Sequence, residues 1–377
     1  PTLKNKTGFF SVRTGSLHKV RALEQWWKMN KAKDFKEFYS ILEMNEIPGY
    51  NIGYADKDDN IFYISNGLIP KRNEKYKWTG LLPGNTSETL WTEYYKTSEL
   101  PQVINPESGY IYNANHSPFK STSLDENPNP KDFATNMGFE TFDNNRSTRI
   151  LELVESYDSI NYEAFKTIKY DNKFPTPFNY NFMNINKIME MNPDNYPEVS
   201  DLLEQIQKWD RITDANSTGA GTYAMFYYTL ADKYFYKSYY DRNFSKSLIA
   251  DCLIEVKNRM IKHFKTTRVK LGDFQKLVRG SKEIPIFGMP DVITAMNASK
   301  YKDGKVQVTH GESYIQLVKF SSKGTEIESV ISYGSSDHKD SPHYNDQMDI
   351  YSKFQTKKMS FDRNYVIKNA KKTYNPE

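Results

Sequence analysis

The sequence predicts an α+β fold. Residues that alternate between apolar and polar, as in strands, occur near both ends of the chain, for example in "GFFSVR" at residues 8–13. Apolar residues at helical spacing dominate the middle. With 377 residues and an aromatic content of 15%, the chain can bury a sizeable core. We therefore predict one α+β body with strands at both ends and a helical insertion between them.

This prediction divides the chain into three segments. Residues 1–161 hold strands, including a hairpin at 50–64, together with helices. Residues 162–300 form a mainly helical insertion, and the strands of residues 301–377 return to the same sheet.

Composition argues against several classes of partner. Lys and Arg number 51 against 47 Asp and Glu, and the net charge of +4 indicates neither a nucleic-acid surface nor a lipid surface. No apolar run reaches the roughly 18 residues of a membrane span. The single cysteine, Cys252, excludes an internal disulfide and a Cys-based metal cluster, and its apolar surroundings in "SLIADCLIEV" predict a buried side chain.

The first part of the chain predicts two short helices and then a hairpin. The helical spacing after Val20 breaks between Asn30 and Asp34, where Asp34 would cap the second helix and Glu37 would complete a capping box. "YNIGYADKDDNIFYIS" then contains two alternating strands around a polar turn. The turn resembles a calcium loop, but it lacks the Gly and the distant Glu of an EF-hand, so a plain turn is predicted.

Further along, "SGYIYN" at residues 108–113 predicts a strand, and a helix begins near Asn144 or Asn145. Helices are predicted at 198–213, 219–236 and 243–265. The tail returns to strands, because "KVQVTHGESYIQLVKFSS" and "GTEIESVISYG" alternate and would form an antiparallel pair that turns at Lys323 and Gly324.

Two asparagines end the predicted strand 108–113. Asn113 and Asn115 are two residues apart and would lie on the same face of a strand. An Asn held in that way can aim its side-chain N–H at a fixed point, which is what an oxyanion hole requires. The alternative is an Asn pair that shapes a turn before "HSPF", and on the residues alone this is the commoner role.

Other polar residues give weaker signals. Arg146 and Arg149, near a helix start, can orient a carboxylate or an amide through the planar guanidinium, although exposed helix arginines are commoner. His310, His338 and His343 lie among acidic residues, which invites a metal or Ser/His/Asp site. Ser341 and His343 are only two residues apart in a turn that contains Pro342, and this spacing argues against a catalytic pair.

Taken together, these segments resemble the penicillin acylase family of N-terminal nucleophile (Ntn) hydrolases over nearly the whole chain. The tail segments "SYIQLVKF" and "SPHYNDQ" resemble the branch of the aculeacin and acyl-homoserine-lactone acylases more than they resemble classical penicillin G acylase. The motifs that carry the resemblance are "NIGYADKDDNIFY", "SGYIYNANHSP", "DNNRSTRILELV", "IQKWDRITDANSTGAGTY", and "GDFQKLVRG" followed by "HGESYIQLVKF" and "YGSSDHKDSPHYNDQ".

The resemblance implies a four-layer αββα sandwich and a nucleophilic Ser, exposed by autoproteolysis, whose α-amino group acts as the base. In this family an Asn of the "N-x-N" segment holds the oxyanion, and by position it corresponds to Asn115. The family's active-site Arg corresponds to Arg146. The nucleophile itself is expected upstream of Pro1, so this part of the protein should be inactive alone.

The resemblance also implies partners and location. The substrate would be a small N-acyl amide, such as an acyl-homoserine lactone, a lipopeptide or a β-lactam. The upstream part of the precursor would be a further partner. The family often binds a structural calcium ion, no other cofactor is expected, and the location would be periplasmic or secreted. A hypothesis from another class is a non-catalytic module that keeps this fold and binds a peptide or glycan through its many tyrosines.

Overall fold

The computed structural model describes residues 2–6, 8–176, 186–234 and 244–374. They form two compact units, residues 1–143 and 144–377, each with its own core. Within the described residues, none of the helices combines the length and apolarity that crossing a bilayer requires. The division of the chain at residues 161 and 300 stays a prediction.

Unit 1 contains five strands and two helices. They are β1 (Thr2–Asn5), β2 (Gly8–Ser11), α1 (Ala22–Met29), α2 (Phe35–Leu42), β3 (Tyr50–Ala55), β4 (Ile61–Asn66) and β5 (Gln102–Ile104). The break between α1 and α2 confirms the two predicted helices. Asp34 accepts from the Glu37 backbone N–H at 2.8 Å as the predicted cap, but Glu37 accepts from Lys33 N–H at 2.9 Å, so the capping box is not formed.

The predicted hairpin is confirmed. β3 pairs antiparallel with β4 from Tyr50 opposite Asn66 to Ala55 opposite Ile61, and β5 adds a third strand beside β4. Asp56 closes the turn by accepting from the backbone N–H groups of Asp58 at 2.9 Å and Asn60 at 3.0 Å. Apolar residues from this sheet, from α2 and from the segment before β5 form the core of the unit, including Phe38, Leu42, Phe62, Ile64 and Leu100.

Unit 2 begins with helices. They are α3 (Asn145–Glu155), α4 (Tyr162–Lys169), α5 (Ser200–Gln207), α6 (Thr218–Tyr234), α7 (Lys246–Phe264) and α8 (Leu271–Phe274). The three predicted helices are present as α5, α6 and α7, but α5 ends at Gln207 and not at the predicted residue 213. The predicted end of α6 at 236 and the predicted start of α7 at 243 lie outside the described residues. Cys252 on α7 is buried, as predicted, in the core that α5, α6 and α7 enclose.

The strands of unit 2 form two sheets. They are β6 (Gln275–Arg279), β7 (Lys282–Pro285), β8 (Met296–Lys300), β9 (Val306–Gly311), β10 (Tyr314–Ser321), β11 (Gly324–Ile331) and β12 (Lys357–Met359), and two short helices, α9 (Met348–Tyr351) and α10 (Arg363–Asn369), lie in the tail. One sheet has the order β7-β6-β9-β8, and the other has the order β10-β11-β12.

This topology corrects two details of the predicted tail. The antiparallel pair that turns at Lys323 and Gly324 is confirmed as β10 and β11. However, the run from Lys305 to Ser322 is interrupted at Glu312 and Ser313, and its first half, β9, pairs with β8 and β6 in the other sheet. In that sheet β9 lies between β6 and β8.

Candidate active site

The segment that carries Asn113 and Asn115 is a loop, and the predicted strand at 108–113 is wrong. Asn113 Oδ1 accepts from the backbone N–H of Asn115 at 3.0 Å, and Asn115 has a left-handed φ of 57°. Gly109 is also left-handed, with φ 74°. Side-chain acceptors and positive φ angles prevent this backbone from forming the regular hydrogen bonds of a β-sheet. The two asparagines therefore shape a turn and do not share a strand face.

Asn113 also connects this loop to the sheet of unit 1. Its Nδ2 donates to the hydroxyl of Tyr63 on β4 at 3.4 Å, and that hydroxyl donates to Asn51 Oδ1 on β3 at 2.8 Å. Burial raises the pKa of Tyr63 to about 12, so the phenol stays protonated and can donate at neutral pH. Both the oxygen and the nitrogen of the Asn113 amide are therefore engaged in structural hydrogen bonds.

His116 fixes the other side of Asn115. Its ring is 1% exposed and stacks on Tyr112 with 4.9 Å between centroids. Nδ1 accepts from the Ala114 backbone N–H at 3.1 Å, which leaves Nε2–H to donate to the Lys120 carbonyl at 2.7 Å. The backbone N–H groups of Ala114 and Asn115 are thus both held by neighbouring side chains, while Asn115 itself is exposed. Sequence reasoning gave His116 no role, because nothing in a single sequence signals a ring that satisfies its own loop.

Arg146 lies in the first turn of α3 in unit 2. Asn144 caps this helix by accepting from the Ser147 N–H at 2.9 Å, and the Ser147 hydroxyl accepts from the Asn144 N–H at 3.1 Å. The helix start predicted near Asn144 or Asn145 is confirmed. The reciprocal bonds set the position from which the Arg146 side chain extends.

Asp291 holds the start of α3 from a distant loop. Its carboxylate accepts from Arg146 Nε at 3.3 Å, from the Asn145 backbone N–H at 3.0 Å and from Asn145 Nδ2 at 2.9 Å. Burial raises the pKa of Asp291, and the donors from Asn145 and the Arg146 charge oppose that shift. Sequence analysis missed Asp291, because it lies 145 residues from Arg146.

Arg149 has a structural role. It donates from Nε and Nη2 to the two oxygens of Asp171 at 3.0 Å and 2.9 Å, and from Nη1 to Glu152 at 3.1 Å. A guanidinium paired with two carboxylates of its own chain is not available to orient a substrate in this arrangement. Of the two arginines that the sequence analysis considered, Arg146 remains the candidate.

The histidines of the tail do not form a Ser/His/Asp arrangement. His343 Nδ1 contacts Asp346 at 2.8 Å, but the Ser341 hydroxyl accepts from the backbone N–H of His343 at 3.1 Å. Across the part of the chain that the structure describes, no three or more His, Cys, Asp or Glu residues are grouped so as to hold a metal ion. The structural calcium ion that the resemblance implies stays a prediction.

Asn115 and Arg146 belong to different compact units, and their pairing in one site stays a prediction. Within its own unit, each has a hydrogen-bonded neighbour: Asn113 accepts from the Asn115 backbone N–H, and Asp291 accepts from Arg146 Nε. Such support is what a group needs in order to act at a fixed point in a reaction. Asn115 offers a neutral amide donor, and Arg146 offers a permanent positive charge.

The fold of the chain has a match among solved structures. A solved structure of a thermostable penicillin G acylase from Alcaligenes faecalis matches this chain with a TM-score of 0.61 and 14% identity, over 98% of this chain and 75% of that one. At this identity the match concerns the fold alone. The fold is that of the Ntn hydrolases, and the α+β class predicted from the sequence is confirmed.

The particular family is shown by the sequence comparison. The penicillin amidase family model matches residues 2–368, and the chain belongs to that family. An acyl-homoserine lactone acylase PvdQ of Pseudomonas savastanoi pv. phaseolicola is 22% identical over 95% of this chain and 51% of its own length. Penicillin G acylase of Escherichia coli is 31% identical over 30% of this chain and 13% of its own length. The chain thus spans about half the length of the first of these relatives.

Proposed function

We propose that the protein is an acylase that hydrolyses the amide bond of an N-acyl substrate, with Asn115 as one donor of the oxyanion hole and Arg146 as an orienting charge. Membership of the penicillin amidase family supports this reaction class. The substrates we propose are acyl-homoserine lactones, lipopeptides or β-lactams. Two relatives named for acyl-homoserine lactone and for penicillin G support the first and the last of these.

In the proposed mechanism the nucleophile is an N-terminal Ser on polypeptide upstream of Pro1. Its hydroxyl attacks the acyl carbonyl and passes its proton to the Ser α-amine, and the leaving amine takes that proton as the C–N bond breaks. Water then attacks the acyl-enzyme ester and releases the carboxylic acid. In both steps the carbonyl oxygen becomes an oxyanion, to which the Asn115 amide N–H would donate. Arg146 would supply the orienting positive charge of this mechanism.

The single observation that carries this proposal is the hydrogen-bonded loop around Asn115. Asn113 and His116 hold the adjacent backbone N–H groups, so Asn115 keeps one backbone conformation while its side chain is exposed. Donors that are already oriented stabilise developing charge without a reorganisation cost. For the intact protein we further propose a periplasmic or secreted location, as is common in this family.

The test is Asn115→Ala in the full-length protein. Losing one donor of this kind removes about 2.7 to 4 kcal/mol of transition-state stabilisation, so kcat should fall by about 100- to 1000-fold with little change in KM. Turnover is measured by the release of amine from acyl-homoserine lactones of two chain lengths and from an N-phenylacetyl amide. Far-ultraviolet circular dichroism should be unchanged.

Asn105→Ala is the matched control. Asn105 is also exposed and has a positive φ of 45°, so Ala imposes the same backbone strain there. This variant should lose stability and keep its kcat. A wild-type kcat in Asn115→Ala would overturn the role of Asn115, and a full-length protein that binds but never hydrolyses these amides would favour the non-catalytic module.

A further inference from the structure

Unit 1 has a cleft of about 700 Å³ that the proposed catalytic residues do not line. Its wall is basic and aromatic and includes Arg72, Lys77 and Trp78. Glu74 is the acidic member, so positive charges outnumber negative ones by two to one. Clefts with one dominant sign of charge concentrate ligands of the opposite sign.

Arg72 is the central group of this cleft. Its Nη1 donates to the backbone carbonyls of Asn136 and of Met137, the latter at 3.0 Å, which fixes the guanidinium. The guanidinium carbon lies 5.9 Å from the ring centroid of Trp78 and 5.7 Å from that of Trp91. Stacking on indole rings restrains the plane of the guanidinium. The group is therefore held in place before any ligand arrives.

Arg72 keeps hydrogen-bonding capacity that its neighbours among the described residues do not use. Throughout the described ranges no carboxylate lies within ion-pair distance of it, and its Nε is buried without a hydrogen-bond partner. Burial lowers the pKa of Arg72, and the group nonetheless stays charged at any physiological pH. Asn136 Oδ1, beside it, is also buried without a partner. Unmet polar groups of this kind are rare in folded proteins, and a polar ligand at such a place offsets their cost.

We propose that this cleft binds an organic carboxylate with a flat apolar body, whose carboxylate meets Arg72 and whose body lies against Trp78. A planar guanidinium suits a planar carboxylate, and an indole face suits a flat ring. Lys77 adds a positive charge at the rim of the cleft. Within the described residues its side chain makes no ion pair or hydrogen bond. This inference is independent of the acylase proposal.

The experiment is calorimetric titration of the full-length protein with benzoate and with benzamide, its neutral isostere. Benzoate should bind saturably and benzamide much more weakly. In Arg72→Gln the dissociation constant for benzoate should rise by about tenfold or more, with Arg72→Lys intermediate, because Lys keeps the charge and loses the planar fork. Arg268→Gln, at an exposed arginine of unit 2, is the control and should bind benzoate as wild type does.

Loss of Arg72 also frees two backbone carbonyls, so a second variant separates binding from folding. Within the described residues, Lys77→Glu breaks no ion pair or hydrogen bond of the side chain, and it should weaken benzoate binding several-fold in a salt-dependent manner. Equal affinity for benzoate and benzamide would overturn the proposal. So would wild-type affinity in either Arg72→Gln or Lys77→Glu.

Discussion

Asn115 shows how a few neighbours hold the backbone from which one side chain extends. Its backbone is left-handed, and its own N–H is held by Asn113. His116 holds the preceding N–H and reaches across the loop to the carbonyl of Lys120. The side chains of Asn113 and His116 satisfy these backbone donors and this acceptor. Side-chain hydrogen bonds, and not strand pairing, therefore stabilise the shape of the loop here.

We predict that His116→Phe loosens this loop. Phenylalanine keeps the stacking on Tyr112 but leaves the Ala114 N–H and the Lys120 carbonyl without their partner, which should lower the free energy of unfolding by about 1 to 3 kcal/mol. Turnover should fall mainly through kcat, because Asn115 would no longer be held in one orientation. Urea denaturation and steady-state kinetics on the full-length protein measure the two effects.

His18→Phe, at an exposed histidine, is the control for this variant and should change neither quantity. Stability and kcat that both stay at wild-type values in His116→Phe would show that the ring does not support the loop.

At the scale of elements, helix α4 is joined to the strands by two lysines. Lys166 pairs with Glu328 on β11 at 3.0 Å, and Lys169 pairs with Glu312 between β9 and β10. The two carboxyl groups respond in opposite ways. Burial raises the pKa of Glu312 in spite of Lys169, whereas hydrogen bonds from Thr356 and Lys166 lower the pKa of Glu328.

These opposite shifts predict opposite effects of pH. Folding strengthens proton binding at Glu312, so the stability linked to that proton is present at low pH and is lost as pH rises through the folded pKa. Folding weakens proton binding at Glu328, so its contribution is present at higher pH and is lost as pH falls. Relative to wild type, Glu312→Gln should gain stability and Glu328→Gln should lose stability as pH rises from about 3 to 6, the range in which glutamate titrates.

Denaturant unfolding of the two variants and the wild type at several pH values provides the measurement. Each variant acts as the control for the other, since both remove one carboxylate that faces α4. Slopes of the same sign in both variants would contradict the assignment of opposite shifts.

Packing between helices predicts a third effect at this scale. A Cβ at Gly221 on α6 would overlap the Val269 carbonyl oxygen and lie 2.9 Å from the Leu271 backbone nitrogen. Gly221→Ala should therefore destabilise the protein by about 1 to 3 kcal/mol, measured by thermal denaturation, even though Ala is the better helix former. Gly84→Ala, where a Cβ meets nothing within 4 Å, is the control, and equal stability of the two variants would refute the close approach.

At the scale of the whole molecule, one prediction follows from the family and from the fraction of a relative's length that this chain spans. The chain spans about half the length of its relative, and the proposed mechanism assigns the nucleophile to polypeptide outside residues 1–377. We expect residues 1–377 alone to hydrolyse no N-acyl amide, because the attacking group and its amine base are both supplied elsewhere. If this chain alone hydrolysed an acyl-homoserine lactone and Asn115→Ala abolished that activity, the proposal that the nucleophile lies outside residues 1–377 would be contradicted.

The accuracy of prediction differed between elements for physical reasons. The hairpin of β3 and β4 was predictable because alternation and turn residues act over a few positions. "SGYIYN" alternates equally well, yet Gly109 and the acceptor side chain of Asn113 turn it into a loop. Asn144 is a typical capping residue, so it predicted the start of α3. Asp291, which accepts hydrogen bonds at that start, lies far away in the sequence and has no local pattern that indicates this role.

By itself, the sequence determined the α+β class, most helices, two hairpins and the ordered motifs that identify the family, because these depend on local periodicity, capping and turn chemistry. The tertiary structure alone decided that β9 joins a different sheet from β10, that Asp291 meets Arg146, and that His116 closes the loop around Asn115. These outcomes depend on which donors and acceptors become neighbours when distant segments pack together, and one chain read in order does not record those neighbours.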